Sequence, residues 1–176
     1  MGLHIAIANR QRTRKINLPR LKQIASALLA ELGIENAELG IALVGAQEMA
    51  RVNRQFLRHE GSTDVITFDH TSPVGRASPR TAKKKARLAR TLAAPILHGE
   101  LFVCVDEAVA QAKQFKTTWQ SEIVRYLVHG VLHLLGHDDL KPALRRKMKR
   151  EENRLVRQLA RRFSLAELAR AGRMSA

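Results

Sequence analysis

The apolar run between Trp119 and Leu135 constrains the fold of this chain more than any other segment. A helix over this run would carry apolar side chains at nearly every position around its axis: Ile123, Val124, Leu127, Val128, Val131, Leu132, Leu134 and Leu135. A helix that is apolar all round has to be buried on all sides. The sequence therefore predicts a central helix with the other elements packed around it.

Two histidines, His129 and His133, interrupt this apolar run at a spacing of four residues. Helical positions four apart lie about 40° apart on one face, so both imidazoles can bind one metal ion. Gly136 then allows the helix to end and the chain to turn back. A third ligand follows within reach, either Asp139 or His137. Three protein ligands leave one position for water, which is typical of a catalytic zinc site.

A histidine on an apolar helix face is more often a hydrogen-bonded core residue than a metal ligand. For this chain, that simpler explanation must also account for a second histidine one turn later, for Gly136, and for the acidic pair Asp138-Asp139. A metal site explains all of these features together. We therefore expect the two histidines to be ligands.

The residue after the first histidine argues against a peptidase. Zinc peptidases carry H-E-x-x-H, in which the glutamate removes a proton from the metal-bound water. Gly130 occupies that position here and has no side chain. Asp139 stands where the longer metzincin pattern has its third ligand, and an aspartate oxygen can bind zinc. The pattern favours metal-assisted hydrolysis of a substrate other than a peptide, with a metal peptidase as a disfavoured alternative.

The charge of the chain indicates a polyanionic partner. Lys and Arg total 31 against 16 acidic residues, which gives a net charge of +15. Nucleic-acid binding favours such an excess because each phosphate contact releases condensed counterions. Aromatic residues make up only 4% of the chain, so we expect recognition through backbone charge and shape rather than base stacking.

The order of the predicted elements indicates an α+β fold, and the length of 176 residues fits a single domain. Thr117 and Gln120 are expected to form a capping box at the start of the central helix. Alternation over 3–8, β-branched composition over 63–68 and short apolar runs over 39–44 and 101–105 predict four strands. Helices are predicted over 19–32, 46–56, 107–115, the central run and Met148 onward. We expect a small mixed four-stranded sheet packed with helices, one of them a metzincin-like metal-site helix.

A basic insertion is expected at about 70–97, where loop-forming residues precede a cluster of cations. The predicted RNA-binding residues of this insertion are Lys83, Lys84, Lys85 and Arg87. A solvated loop whose charge matters little is an equal alternative. A second basic stretch, 145–150, alternates cations with apolar residues and predicts a solvated helix face.

Several separate segments together resemble one known family. The segments are Asn9-Arg10-Gln11, 52–56, Thr63-Asp64-Val65-Ile66-Thr67-Phe68, 99–103, Glu122, H-G-x-L-H-L-x-G from His129 with its following acidic residues, Met148 and Glu151-Glu152. They resemble the YbeY family of bacterial ribosomal RNA maturation endoribonucleases, over most of residues 3–157.

The resemblance implies the same α+β fold and a zinc-dependent, single-strand-specific endoribonuclease. Its role would be small-subunit ribosomal RNA 3′-end maturation and ribosome quality control, with ribosomal RNA and the small subunit as partners. One Zn²⁺ per chain would be held by His129, His133 and Asp139, and no small-molecule cofactor is expected. Most members have a histidine where this chain has Asp139, and His137 is the alternative third ligand.

The resemblance also points to residues around the metal. Members usually carry an arginine at the position of Leu57, so Arg58 is the expected catalytic residue here. A solvated loop arginine is the alternative. One ligand histidine is expected to donate its second ring N–H to a carbonyl or carboxylate, for which Glu122 is a possible partner.

An alternative function is a non-catalytic RNA-binding ribosome-assembly factor whose metal only supports the fold. For location, we expect the cytoplasm and no membrane contact. No apolar run approaches the 18 to 20 residues that span a bilayer, and the N-terminus lacks a signal-peptide pattern. The single cysteine, Cys104, is expected to be a buried small apolar residue. The oligomeric state stays open.

Overall fold

The computed structural model describes residues 2–71 and 96–169 of the chain. Strands and helices follow in the predicted order, with a π-helical turn (Asn53–Leu57) after the second helix and a short 3-10 helix (Leu165–Leu168) at the end. The elements are β1 (Leu3–Asn9), α1 (Leu18–Glu31), β2 (Asn36–Val44), α2 (Ala46–Val52), β3 (Val65–Asp69), β4 (Ile96–Cys104), α3 (Val105–Phe115), α4 (Trp119–Leu134) and α5 (Pro142–Arg162).

The four strands form one mixed sheet in the order β1-β2-β4-β3. β2 runs parallel to both β1 and β4, whereas β3 lies antiparallel to β4 at the edge. Because β2 and β4 are interior strands, their apolar side chains are buried on both faces near the carboxyl ends. The predicted α+β class, with a small mixed sheet packed by helices, is confirmed.

Helix α4 is the central helix, as its apolar run predicted. Its side chains Val124, Val128, Val131 and Leu132 have no accessible surface. They belong to the main core, which also contains residues of α1, α3, α5 and one face of the sheet. Burial on all sides fixes the position of this helix, and the helix in turn fixes the backbone positions of the histidines that it carries.

Two glycines allow α4 to lie close to the sheet. A Cβ atom at Gly130 would come within 2.8 Å of Leu101 in β4 and 3.3 Å of Val65 in β3. A Cβ atom at Gly99 would meet Leu134 of α4, also at 2.8 Å. Separations under 3.0 Å do not occur between real Cβ atoms and their neighbours, so neither position has room for a larger residue. Gly130 is therefore a packing residue between helix and strands.

The opposite face of the sheet holds a smaller core that includes Met49 and Cys104. Cys104 is fully buried, as predicted. Three rings extend this core outward: Phe68 contacts Phe102 at 5.6 Å and Phe56 at 5.0 Å between centroids, both edge to face. Phe56, in the π-helical turn, is 55% exposed.

The structure corrects several predicted boundaries. Thr118 caps α4, since its hydroxyl accepts the Ser121 N–H at 3.2 Å, and the Thr117–Gln120 capping box is wrong by one residue. The Thr117 hydroxyl instead donates to Glu122. The last helix begins at Pro142, because proline fits the first helical turn, rather than at Met148.

Strand β4 begins at Ile96 rather than at Leu101, so the last residues of the predicted 70–97 insertion belong to the sheet. The rest of that insertion lies almost wholly outside the described residues. Within residues 2–71 and 96–169, no helix combines the length and the apolar composition that crossing a bilayer requires.

Candidate metal centre

The end of α4 is closed by backbone hydrogen bonds that depend on Gly136. The Gly136 N–H donates to the His133 carbonyl at 2.8 Å, and the His137 N–H donates to the Leu132 carbonyl at 3.0 Å. This pattern is a Schellman motif, and it requires the left-handed backbone that Gly136 adopts at φ +83°. The turn brings residues 137–139 back towards the last turn of the helix.

The two predicted ligand histidines point their ring nitrogens at one another. His129 Nε2 and His133 Nε2 lie 3.0 Å apart, and the ring planes make an angle of 79°. Two nitrogens bound to one tetrahedral zinc ion at 2.0–2.1 Å would be separated by about 3.3 Å. The observed spacing is thus close to that of a shared ion.

The partners of the other ring nitrogens determine where the protons lie. His133 Nδ1 is 3.1 Å from the His137 carbonyl oxygen, and His129 Nδ1 is 3.0 Å from a carboxylate oxygen of Glu152. Both partners only accept hydrogen bonds, so each Nδ1 carries the proton. With both rings neutral, each Nε2 presents a lone pair to the other ring; with one ring protonated, its Nε2–H donates to the other Nε2. Two facing lone pairs repel at this distance, and a metal ion between them removes that repulsion, so a pair of neutral imidazoles placed in this way fits a metal ion.

Asp139 completes the group. Its Oδ2 atom is 3.9 Å from His133 Nε2, and the ligand atoms of His129, His133 and Asp139 all lie within 4.8 Å of one another. His137 contributes its backbone carbonyl to this site, where that oxygen accepts the hydrogen bond from His133 Nδ1. Of the two predicted third ligands, the structure brings Asp139 into the group.

Glu152, on α5, holds the His129 ring in place. This carboxylate is only 3% exposed and accepts hydrogen bonds from Arg125 at 2.6 Å, Lys149 at 2.8 Å and His129 at 3.0 Å. Burial alone would raise its pKa, but these three donors outweigh burial and lower the pKa to about 2. Glu152 is therefore a permanent anion that fixes the tautomer and orientation of His129.

Glu122 is not the partner of a ligand histidine, contrary to our expectation. It lies two helical turns before His129, about 10 Å along the axis, and that separation exceeds the reach of its side chain. It accepts a hydrogen bond from Thr117 at 2.5 Å and lies 4.0 Å from Arg125.

The sequence did contain a signal for Glu152. Its neighbours on the buried face of α5 are apolar, namely Met148, Leu155, Val156 and Leu159. A carboxylate at a core position of an amphipathic helix needs a buried partner. The position of Glu152 on the buried face of α5 therefore predicts a buried partner for its carboxylate. Which residue is that partner depends on how the helices pack.

The metal group opens into a cleft of about 440 Å³ between α4 and α5. It contains cations that sequence reasoning did not assign to the site. The residues that line it are Asp64, Arg125, Tyr126, His129, Asp139, Arg145, Met148, Lys149 and Glu152. Arg145 donates from its Nε to the Asp139 carbonyl at 3.0 Å and so braces the metal loop.

Other predicted site residues lie elsewhere. Arg58 is exposed at the end of the π-helical turn, in a left-handed backbone conformation at φ 57°. It is not among the described residues that line the cleft, and its catalytic role stays a prediction. Lys83, Lys84, Lys85 and Arg87 lie outside the described residues.

Comparisons with known proteins identify the family. The family model "Endoribonuclease YbeY" matches residues 6–160. Endoribonuclease YbeY of Anaeromyxobacter sp. (strain Fw109-5) is 36% identical over 138 residues, which are 78% of this chain and 62% of that protein. The protein of the same name from Chlorobium phaeovibrioides is 30% identical over 78% of this chain and 79% of its own length. The chain thus spans less than two thirds of the Anaeromyxobacter protein.

A solved structure shares the fold. The solution structure of TM1509 from Thermotoga maritima superposes with a TM-score of 0.61, covering 98% of this chain and 99% of that one, at 20% sequence identity. The match of the family model over most of the chain, with the relatives at 30% identity or more, shows the relationship. The chain belongs to the YbeY family of endoribonucleases.

Proposed function

We propose that this chain is a zinc-dependent, single-strand-specific endoribonuclease that acts in the cytoplasm on the 3′ end of small-subunit ribosomal RNA and in ribosome quality control. The observation that carries the proposal is the pair of Nε2 atoms of His129 and His133, 3.0 Å apart, with the Asp139 carboxylate in the same group. The cited relatives are named endoribonucleases.

The exposure of the group favours a catalytic metal over a structural one. The side chains of His129, His133 and Asp139 are 23%, 27% and 38% exposed. Structural zinc sites are closed by four protein ligands, whereas catalytic sites keep a position for water or substrate. A group of three residues that faces an open cleft matches the second arrangement.

His129, His133 and Asp139 would hold the ion. When bound, zinc would supply a water of lowered pKa and polarise a phosphoryl oxygen. Around it, Arg145 keeps the Asp139 loop in place, and Glu152 keeps the His129 ring aligned. Lys149 and Arg125 are cations within the same cleft, where they favour binding of a phosphodiester and offset charge that develops on it.

A test compares the wild-type protein with His133→Ala and, as a matched control, His59→Ala, an exposed histidine far from the group in sequence. Zinc content is measured by elemental analysis, and cleavage is followed on a single-stranded and a duplex RNA. We expect one zinc per chain and cleavage of the single strand for wild type and His59→Ala. His133→Ala should lose both properties.

Full cleavage by zinc-free His133→Ala would contradict the proposal. RNA binding without metal-dependent cleavage in the wild type would instead favour the assembly-factor alternative. Cleavage of precursor small-subunit RNA near its 3′ end, with mature RNA left intact, is the expected result for the proposed substrate.

A further inference from the structure

A second groove lies beside the metal cleft, on the outer face of α5. It has a volume of about 530 Å³ and is lined by Ala143, Arg146, Lys149, Arg150 and Asn153. These positions recur at helical spacing and so share one face of α5. Lys149 lines both this groove and the metal cleft, so the two cavities adjoin at its side chain.

Two of the three cations of this groove are available to a ligand, whereas Lys149 is paired with Glu152. Among the residues that the structure describes, neither Arg146 nor Arg150 forms a hydrogen bond or an ion pair, and both side chains are exposed. Two other arginines of α5 are engaged: Arg154 pairs with Glu151, and Arg157 donates to a backbone carbonyl. Lys147 and Arg161 of α5 are exposed as well, but of these four cations only Arg146 and Arg150 line the groove beside the metal cleft.

Asn153 adds a polar donor to the same face. Its side-chain oxygen accepts a hydrogen bond from Arg125 at 2.8 Å, which fixes the amide and leaves its nitrogen as a donor. No aromatic residue of the described ranges 2–71 and 96–169 lines the groove, so these residues offer donors and charge but no surface on which bases stack. Phosphate oxygens, which accept hydrogen bonds and carry negative charge, match this set of groups.

We propose that the groove formed by Arg146, Lys149, Arg150 and Asn153 binds the phosphodiester backbone of a single-stranded RNA on one side of the scissile bond. This inference rests on the proposed function for its substrate. It replaces the expectation that the 145–150 stretch is only a solvated helix face. Because the contacts are to phosphates, binding in the groove is independent of base sequence and sensitive to salt.

The test compares Arg146→Gln/Arg150→Gln with the control Lys147→Gln/Arg161→Gln. Both variants remove two positive charges from exposed positions of α5, but the control positions do not line the groove. Binding of a labelled oligouridine is measured by fluorescence anisotropy in EDTA at several salt concentrations. Measuring without metal separates binding from cleavage.

We expect the groove variant to bind oligouridine on the order of tenfold more weakly than wild type, with a salt slope lower by about 1.4 for two lost phosphate contacts. The control should bind close to wild type. Zinc content and the thermal midpoint report whether the fold and metal centre are intact in both variants.

If both variants lost the same affinity for oligouridine, the proposed role of the groove would be wrong, whereas the nuclease proposal would be unaffected. A larger loss for duplex RNA than for oligouridine would overturn the assignment to a single strand. If the wild type bound RNA through the groove but cleaved none, the proposed function would fail and the groove would survive as a binding surface.

Discussion

His129 Nδ1 lies 3.0 Å from Oε2 of Glu152, a carboxylate contributed by the next helix along the chain. The same carboxylate binds Arg125 and Lys149. Two helices are thereby joined at the metal group, and the orientation of one proposed ligand depends on a residue that is not itself one of the three proposed ligands.

The Glu152→Gln variant tests this dependence. Glutamine keeps the size of the side chain but loses the negative charge that fixes the Nδ1 proton. We expect zinc affinity to fall by about 10- to 100-fold, as for other residues that orient a ligand histidine. Competition with a zinc-chelating dye measures the dissociation constant.

Glu151→Gln is the matched control, because Glu151 pairs with Arg154 outside the metal group. Its zinc affinity should equal that of wild type. Equal zinc affinity in the Glu151 and Glu152 variants would show that the contact with His129 has no effect on the metal.

Replacing the two alternative third ligands separates their roles. We expect Asp139→Ala to lose most of its zinc affinity, because the carboxylate lies with the two ring nitrogens. His137→Ala should retain zinc, since the site uses its backbone carbonyl, which the substitution leaves in place. Dye competition on both variants measures the difference, and the reverse order of affinities would make His137 the ligand.

The close contact at Gly130 predicts a cost for any side chain there. In Gly130→Ala the new methyl group meets Leu101 at 2.8 Å and Val65 at 3.3 Å, both within the packed core. We expect a loss of about 1–3 kcal/mol in the free energy of unfolding, as for other overpacked cores. Urea denaturation measures it.

Gly40→Ala serves as the control, because its Cβ atom would meet the exposed side chain of Glu100, which can move aside. A Gly130→Ala variant as stable as Gly40→Ala would contradict the packing role. The same contact explains why a peptidase glutamate has no place at position 130: its side chain would enter the helix–sheet interface.

Burial raises the pKa of the Cys104 thiol from 9.0 to about 11. At pH 8 the folded protein should therefore react very slowly with Ellman's reagent, and unfolding in urea should restore a rapid reaction. Rapid labelling of the folded protein would contradict this burial.

The raised pKa also has a consequence for stability. Above pH 9, ionisation of Cys104 stabilises the unfolded chain, whereas the folded protein keeps the thiol proton until about pH 11. The contribution of this thiol is thus complete below pH 9 and is lost as the pH rises towards 11. The stability difference between wild type and Cys104→Ala should fall over that range and stay constant below it.

The fold was predictable where the pattern is local. The apolar run of α4 predicted a buried central helix, and alternation, β-branched composition and short apolar runs predicted four strands. The first half of β4 was missed because His98, Gly99 and Glu100 lack the composition of a strand. Gly99 is there because Leu134 of α4 packs against it, and this contact is defined only in three dimensions.

The candidate site likewise contains residues that local spacing predicts and residues that only tertiary packing brings in. His129, His133 and Asp139 lie within one short segment, so spacing alone predicted the group that the structure brings together. Glu152 and Lys149 approach from another helix, so their place in the site depends on tertiary packing. The 145–150 stretch is an exposed helix face, as predicted, but helical phase does not reveal which cavity an exposed residue borders.

The antiparallel pairing of β3 with β4 has a consequence for how this chain tolerates change. Asp69 pairs directly with Gly99, and the His70 N–H donates to the His98 carbonyl at 2.9 Å. The polypeptide thus leaves the sheet and re-enters it at adjacent backbone positions. The entropy of closing a connection between such fixed points grows only with the logarithm of its length. The connection between β3 and β4 can therefore be lengthened, shortened or replaced, even by a whole reporter domain, without a shift in the register of the two strands.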